Sequence, residues 1–177
     1  MGKQKVCCFT GHRMQSLPFG FNENDERCVK LKTVLKAEII RLIEECSVTE
    51  FISGMAIGVD MYAAEIVLGL KRQYPYSQLW LECAIPCKNQ TAKWNQLNRD
   101  RYFDIINQCD KETLLQTHYT PDCMQKRNEY MVDKADYVIA VWNGTGSGTG
   151  NTVQYAQKKG KEVIIINPNK ICGGKSE

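Results

Sequence analysis

Tyr137-Val138-Ile139-Ala140-Val141-Trp142-Asn143-Gly144-Thr145-Gly146-Ser147-Gly148-Thr149-Gly150-Asn151 is an apolar run that breaks into a glycine-rich turn. The first half reads as a buried strand. The residues after the turn, 149–159, read as a helix that stops at Gly160, a residue suited to the position just past a helix end. A strand, a glycine-rich turn and a helix in that order let backbone N–H groups approach an anion closely. The helix N-terminus adds partial positive charge. The stretch therefore sets two expectations: an α/β sheet, and a phosphorylated small-molecule ligand at its edge.

Outward from this stretch the same alternation repeats. Short apolar runs at 5–9, 50–53, 79–85, 113–117, 137–142 and 162–166 read as strands. Between them lie helical patterns, the first opening at Asn24, with Leu31, Leu35, Ile39 and Leu42 recurring at helical spacing. Others cover 58–73, ended by Pro75, then 91–109, 122–134 behind Pro121, and 149–159. Strands that alternate with helices and are themselves nearly all apolar predict a parallel sheet covered on both faces. The expected fold class is α/β: a single doubly wound Rossmann-like domain, with a mostly parallel six-stranded sheet flanked by helices. The domain is placed at 1–168, with 169–177 as a flexible tail.

Composition narrows the function. The chain has 177 residues, 43% of them apolar, and a formal net charge of +3 with acids and bases well mixed. That balance argues against a nucleic-acid partner, which calls for a strongly basic face. No apolar stretch is long enough to cross a membrane. Nine cysteines are present. Cys83 and Cys87 are the nearest approach to a ligand pair, but no second pair or nearby histidine completes a metal site, so no metal is expected. A reduced, cytoplasmic protein follows.

In an open parallel sheet, ligands bind beyond the carboxyl ends of the strands. The unusual residues cluster there. Strand one ends in Thr10-Gly11-His12-Arg13, and strand two in Ser53-Gly54-Met55-Ala56-Ile57-Gly58-Val59-Asp60. Strand five ends in the turn holding Asn143, Gly144, Gly146, Ser147, Gly148, Thr149 and Asn151. Arg13 suits a phosphate, and His12 suits a phosphate or acid–base chemistry; both also suit a plain solvent-facing loop. Gly54 and Gly58 either make a tight turn or touch the ligand. Asp60 either favours a helix start or binds a ligand. Arg127 is a cation on the helix before strand five. His118 and Trp142 fit structural roles, with a ligand contact as the alternative.

These motifs, in order, resemble the YpsA-like family of bacterial and phage proteins. The likeness is carried by Phe9-Thr10-Gly11-His12-Arg13, by Phe51 to Asp60, by Ala84-Ile85-Pro86-Cys87, by Arg127-Asn128 with Met131-Val132-Asp133 and Ala135-Asp136, and by the Gly-Thr turn. The wider resemblance is to the SLOG superfamily, which includes the lysine-decarboxylase-like LOG proteins and the Rossmann-like domain of the DNA-uptake protein DprA. Ser53-Gly54-Met55-Ala56 with Gly58 and Asp60 looks like the DprA signature. The resemblance implies a domain that binds a nucleotide or nucleotide-derived ligand, such as an ADP-ribose-like molecule or a nucleoside phosphate.

LOG enzymes release a base from a nucleoside monophosphate. Their pattern pairs an arginine with a Gly-Thr turn followed by glutamates. Arg127 and Gly148-Thr149 match, but Asn151 and Thr152 stand where the glutamates belong. A carboxylate stabilises the cationic sugar as an N-glycosidic bond breaks, or activates water; an asparagine supplies no such charge. The expectation is therefore a sensor or sequestering protein that needs no cofactor. The alternative is a nucleotide N-glycosidase with Asp60 or Glu65 as its carboxylate, and after it a single-stranded DNA-binding module. LOG relatives are dimers, which makes a homodimer an expectation as well.

Overall fold

The computed structural model describes residues 3–75 and 77–171. Six strands form one parallel sheet: β1 (Lys5–Gly11), β2 (Val48–Ser53), β3 (Trp80–Ile85), β4 (Lys111–Leu114), β5 (Tyr137–Val141) and β6 (Glu162–Ile166). Their order is β4-β3-β2-β1-β5-β6. The chain builds outward from β1 to β4, then returns to lay β5 on the other side of β1. β1 and β5, paired from Cys7 opposite Tyr137 to Gly11 opposite Val141, are thus where strand order reverses. A crevice opens beyond the carboxyl ends of such a pair because the connections leave in opposite directions.

Strand side chains alternate between two apolar cores, as their two-residue period requires. Cys7, Phe9, Phe51, Leu81 and Ile139 face the larger core. Leu31, Leu35 and Ile39 of α1 (Glu26–Cys46), Tyr62 and Val67 of α2 (Val59–Gln73), and Tyr102 and Ile105 of α3 (Gln96–Gln108) fill it. Cys8, Ile52, Ala84 and Val138 face the smaller core, with Met131 and Val132 of α4 (Cys123–Lys134) and Ala156 of α5 (Gly148–Lys158). The sheet is covered on both sides, the arrangement its apolar strands predicted.

Several boundaries differ from the sequence reading. α3 begins at Gln96, not at 91, because Asn95 is extended and its side chain accepts the Asn98 N–H at 2.9 Å. β4 begins at Lys111, not at 113. It is an edge strand with mostly exposed side chains, so burial does not mark where it starts. β3 buries a charge: Glu82 accepts from Lys134 Nζ at 2.8 Å, Tyr130 Oη at 2.5 Å and Thr113 Oγ1 at 2.7 Å. Burial alone would raise this carboxyl; those partners outweigh it and hold the pKa below the usual range.

The first part of the expected tail forms a one-turn helix, α6 (Pro168–Ile171), with Ile171 packed on the larger core. Residues 172–177 of that tail lie outside the described residues. The eight described cysteines are free, and most are buried. Among the described residues no helix is long and apolar enough to cross a membrane.

Candidate functional site

A cleft of about 360 Å³ opens at the end of β1 and the start of α5. The β1 turn supplies Thr10, Gly11, His12 and Arg13. The loop after β2 supplies Ala56 and Asp60, α4 supplies Arg127, and the start of α5 supplies Ser147, Gly148 and Thr149. Segments far apart in the chain meet here because the sheet reverses at β1 and β5.

The wall made by α5 has the character of an anion site. Ser147 is extended and its Oγ accepts the Gly150 N–H at 3.1 Å, capping the helix. The N–H groups of Gly148 and Thr149, at the first two helical positions, have no intrahelical acceptor. No acidic residue sits in the first turn to neutralise them. A Cβ built on Gly146 or Gly148 would meet nothing within 4 Å. On the other side of the turn, Trp142 Nε1 donates to the Thr145 carbonyl at 2.7 Å, and a Cβ on Gly150 would lie 3.0 Å from that same oxygen. Trp142 therefore braces the turn from outside the cleft.

His12 latches the turn to β1. Its Nε2 lies 3.0 Å from Asn143 Oδ1 and accepts the Asn143 N–H at 3.1 Å. Asn143 Oδ1 also accepts the Thr145 hydroxyl at 2.6 Å and the Thr145 N–H at 3.1 Å. His12 is 4% exposed. Burial lowers its pKa, and the Asn143 side-chain oxygen beside Nε2, which favours the protonated ring, only partly opposes that.

The loop after β2 presents a carboxylate. Two of its N–H groups are already committed: that of Met55 donates to Ser53 Oγ at 3.2 Å, and that of Ala56 to Asp60 Oδ2 at 3.2 Å. Ser53 Oγ in turn donates to the Asp60 carbonyl at 2.8 Å. Ser53, Gly54, Met55 and Gly58 stand behind the cleft and shape it. A Cβ on Gly54 would lie 2.7 Å from Arg127 Cζ, so only glycine admits the guanidinium there. Gly58 has φ +111°, a region that favours glycine. Burial pushes the Asp60 carboxyl up; the Arg127 cation, the Ala56 N–H and Arg13 hold it back in that order.

Arg127 is the least expected feature. It is 4% exposed, yet among the described residues it donates only to neutral oxygens, Gly54 O through Nη1 and Asn128 Oδ1 through Nε at 2.9 Å. None of the ion pairs among the described residues includes it. Burial lowers its pKa; Asp60 opposes this and Arg13 adds to it. Asn128 Nδ2 donates to Thr152 Oγ1 at 3.0 Å, and Thr152 Oγ1 to Gly148 O at 2.9 Å. This relay ties the arginine to the start of α5.

Other candidates lie elsewhere. Asn143, Gly144, Gly146 and Asn151 are outside the cleft lining, and the Asn151 side chain is exposed. Glu65 pairs with Arg101 at 2.5 Å, so Asp60 is the carboxylate that lines the cleft. His118 is exposed on the loop after β4. Sequence reading did not single out Gln15, Ser16 and Met124, which also line the cleft. The first two sit on a 3-10 turn, Met14–Ser16, that carries no periodic signal. Asn128, another lining residue, was legible in the Arg127-Asn128 pair. Among the described residues no group of three or more His, Cys, Asp or Glu is placed to hold a metal ion.

The model of the YspA SLOG family matches residues 7–171. The chain belongs to the YspA SLOG family. It is 33% identical over 155 residues to the SPbeta prophage-derived protein YoqJ of Bacillus subtilis, covering 80% of this chain and 90% of that one. It is 29% identical over 172 residues to a UPF0398 protein of Halalkalibacterium halodurans, covering 93% and 89%. This YspA SLOG chain also shares its fold with the DNA processing protein A (DprA) of Streptococcus pneumoniae. That match has a TM-score of 0.62 at 16% identity and covers 96% of this chain and 54% of the other. DprA of Helicobacter pylori, described for its single-stranded DNA binding mode, matches with a TM-score of 0.60 at 17% identity, covering 92% and 65%. The chain thus spans about half the length of the first DprA and just under two thirds of the second.

Proposed function

We propose that this chain holds a phosphorylated, nucleotide-derived small molecule in the cleft over β1 and β5, as a sensor or a sequestering protein. The observation that carries the reading is Arg127, a buried guanidinium whose hydrogen bonds among the described residues all go to neutral oxygens. It shares the cleft with the uncapped N–H groups of Gly148 and Thr149. A buried cation is costly unless an anion joins it, and a helix N-terminus strengthens the same preference. Phosphate goes to α5 and Arg127, with exposed Arg13 adding charge at the mouth. Asp60 accepts from ribose hydroxyls, since its carboxylate makes the start of α2 a poor place for an anion. The reading requires no cofactor. It includes cytoplasmic residence, and a homodimer that light scattering on the purified protein would test. Titration calorimetry with nucleoside monophosphates tests the binding: we expect 1:1 binding that Arg127→Ala abolishes. Equal binding by the variant would sink the reading.

A second reading, N-glycosidic hydrolysis, is favoured by one observation: a carboxyl in the cleft whose pKa burial raises, as a general acid needs. It predicts release of free base from a nucleoside monophosphate, detected by chromatography and lost in Asp60→Asn. Single-stranded DNA, the ligand named for Helicobacter pylori DprA, is the third reading. It predicts oligonucleotide affinity that falls steeply with salt, against which the net charge of +3 argues.

A further inference from the structure

Beside the cleft lies a second chamber of about 200 Å³. Arg13, Gln15, Ala56 and Met124 line both spaces, so the two adjoin. Their chemistry differs. The cleft is walled mainly by polar and charged side chains, with no Phe, Tyr or Trp among its described lining residues. To the four residues it shares with the cleft the chamber adds Trp94, Phe21, Ile57 and Gln90.

The two aromatic residues are placed for different roles. Trp94 is held in position: it packs against the larger core and meets Tyr102 edge-on, with ring centroids 5.6 Å apart at 86°. Phe21 is 66% exposed, at the edge of the chamber. A phenylalanine so exposed contributes little to the core. Gln90 fixes the neighbouring loops, since its Nε2 donates to the Met55 carbonyl at 3.2 Å and so joins the segment after β3 to the loop after β2. The chamber is thereby built on elements that also position Asp60 and Arg127.

We infer that this chamber is a nucleobase subsite, adjoining the phosphate end of the cleft and lined by Trp94 and Phe21. The inference rests on the phosphate-binding reading above and narrows it. A polar, cationic compartment adjoining an aromatic one matches a molecule with phosphate at one end and a flat heteroaromatic ring at the other. A sugar phosphate lacking a base leaves the aromatic compartment unused. Stacking on aromatic side chains is tolerant of base identity because every base has a π-face, so purine and pyrimidine nucleotides both qualify.

Trp94 is a built-in reporter. Titration with AMP, GMP, CMP and UMP, set beside ribose 5-phosphate, is followed by tryptophan fluorescence and by calorimetry. We expect the nucleotides to quench emission and ribose 5-phosphate to leave it unchanged while binding roughly tenfold to hundredfold more weakly, the range set by the worth of one stacked base. The quench should vanish in Trp94→Phe and persist in Trp142→Phe. Phe21→Ala, a surface change that leaves the fold intact, should weaken nucleotides by about tenfold and ribose 5-phosphate not at all. Arg127-dependent binding in which ribose 5-phosphate equals the nucleotides, unaffected by Phe21→Ala, overturns the subsite and leaves the phosphate reading standing. No binding of any of these probes overturns both.

Discussion

Gly11 and Gly148 are both glycines of the cleft, and they are there for opposite reasons. A Cβ on Gly11 would lie 2.6 Å from Val59 Cβ, at the anchored base of a branched side chain where α2 begins. Gly11→Ala should therefore cost about 1–3 kcal/mol of stability through overpacking, read from urea unfolding. A Cβ on Gly148 meets open space. Gly148→Ala should change stability by less than about 0.5 kcal/mol while lowering nucleotide affinity about tenfold or more, because the methyl enters the space kept for phosphate. A large stability loss at Gly148 would show that the glycine serves the fold instead. His12 gives a prediction in pH. Its folded pKa is lowered by burial, so its contribution to stability is present above the ordinary value of 6.5 and is lost as pH falls from there through the folded value. Between pH 7 and pH 5, His12→Gln should lose less stability than the parent chain in thermal unfolding. Parallel curves for the two would refute the latch.

At the scale of elements, α5 carries the account through its first turn. Ser147→Ala removes the acceptor of the Gly150 N–H and should cost about 1 kcal/mol, measured as a lower urea midpoint with an unchanged slope. The elements were legible in the sequence where burial imposed a pattern. β5 reads cleanly because both faces of the sheet are covered there, and β6, though an edge strand, reads at its observed bounds because Val163 to Ile166 is an unbroken β-branched run. The bounds of β4 and the start of α3 do not read, because the side chains of β4 are mostly exposed and the residues before Asn95 form turns that still contain the packed Trp94. The glycines after β2 were visible as a motif, but their job was not. Whether a glycine touches a ligand or admits an arginine behind it depends on α4, 73 residues away.

At the scale of the molecule, the site exists because the strand order reverses between β1 and β5. That reversal brings together a buried cation, a helix start with free N–H groups at Gly148 and Thr149, and one carboxylate. The alternation of strands and helices made the α/β class readable, whereas strand order is set by which sheet edge each crossover takes, and a single sequence records that only weakly. The lining residues Gln15, Ser16 and Met124 belong to that unread level. Asn151, where a phosphoribohydrolase pattern would place a glutamate, proves to be exposed, so the question of cutting or holding passes to Asp60. Native mass spectrometry of the protein mixed with nucleoside monophosphates decides it. The account predicts a 1:1 adduct with the mass of the intact nucleotide, absent in Arg127→Ala. An adduct carrying only the ribose phosphate left after base loss, or no adduct with any nucleotide, would contradict it.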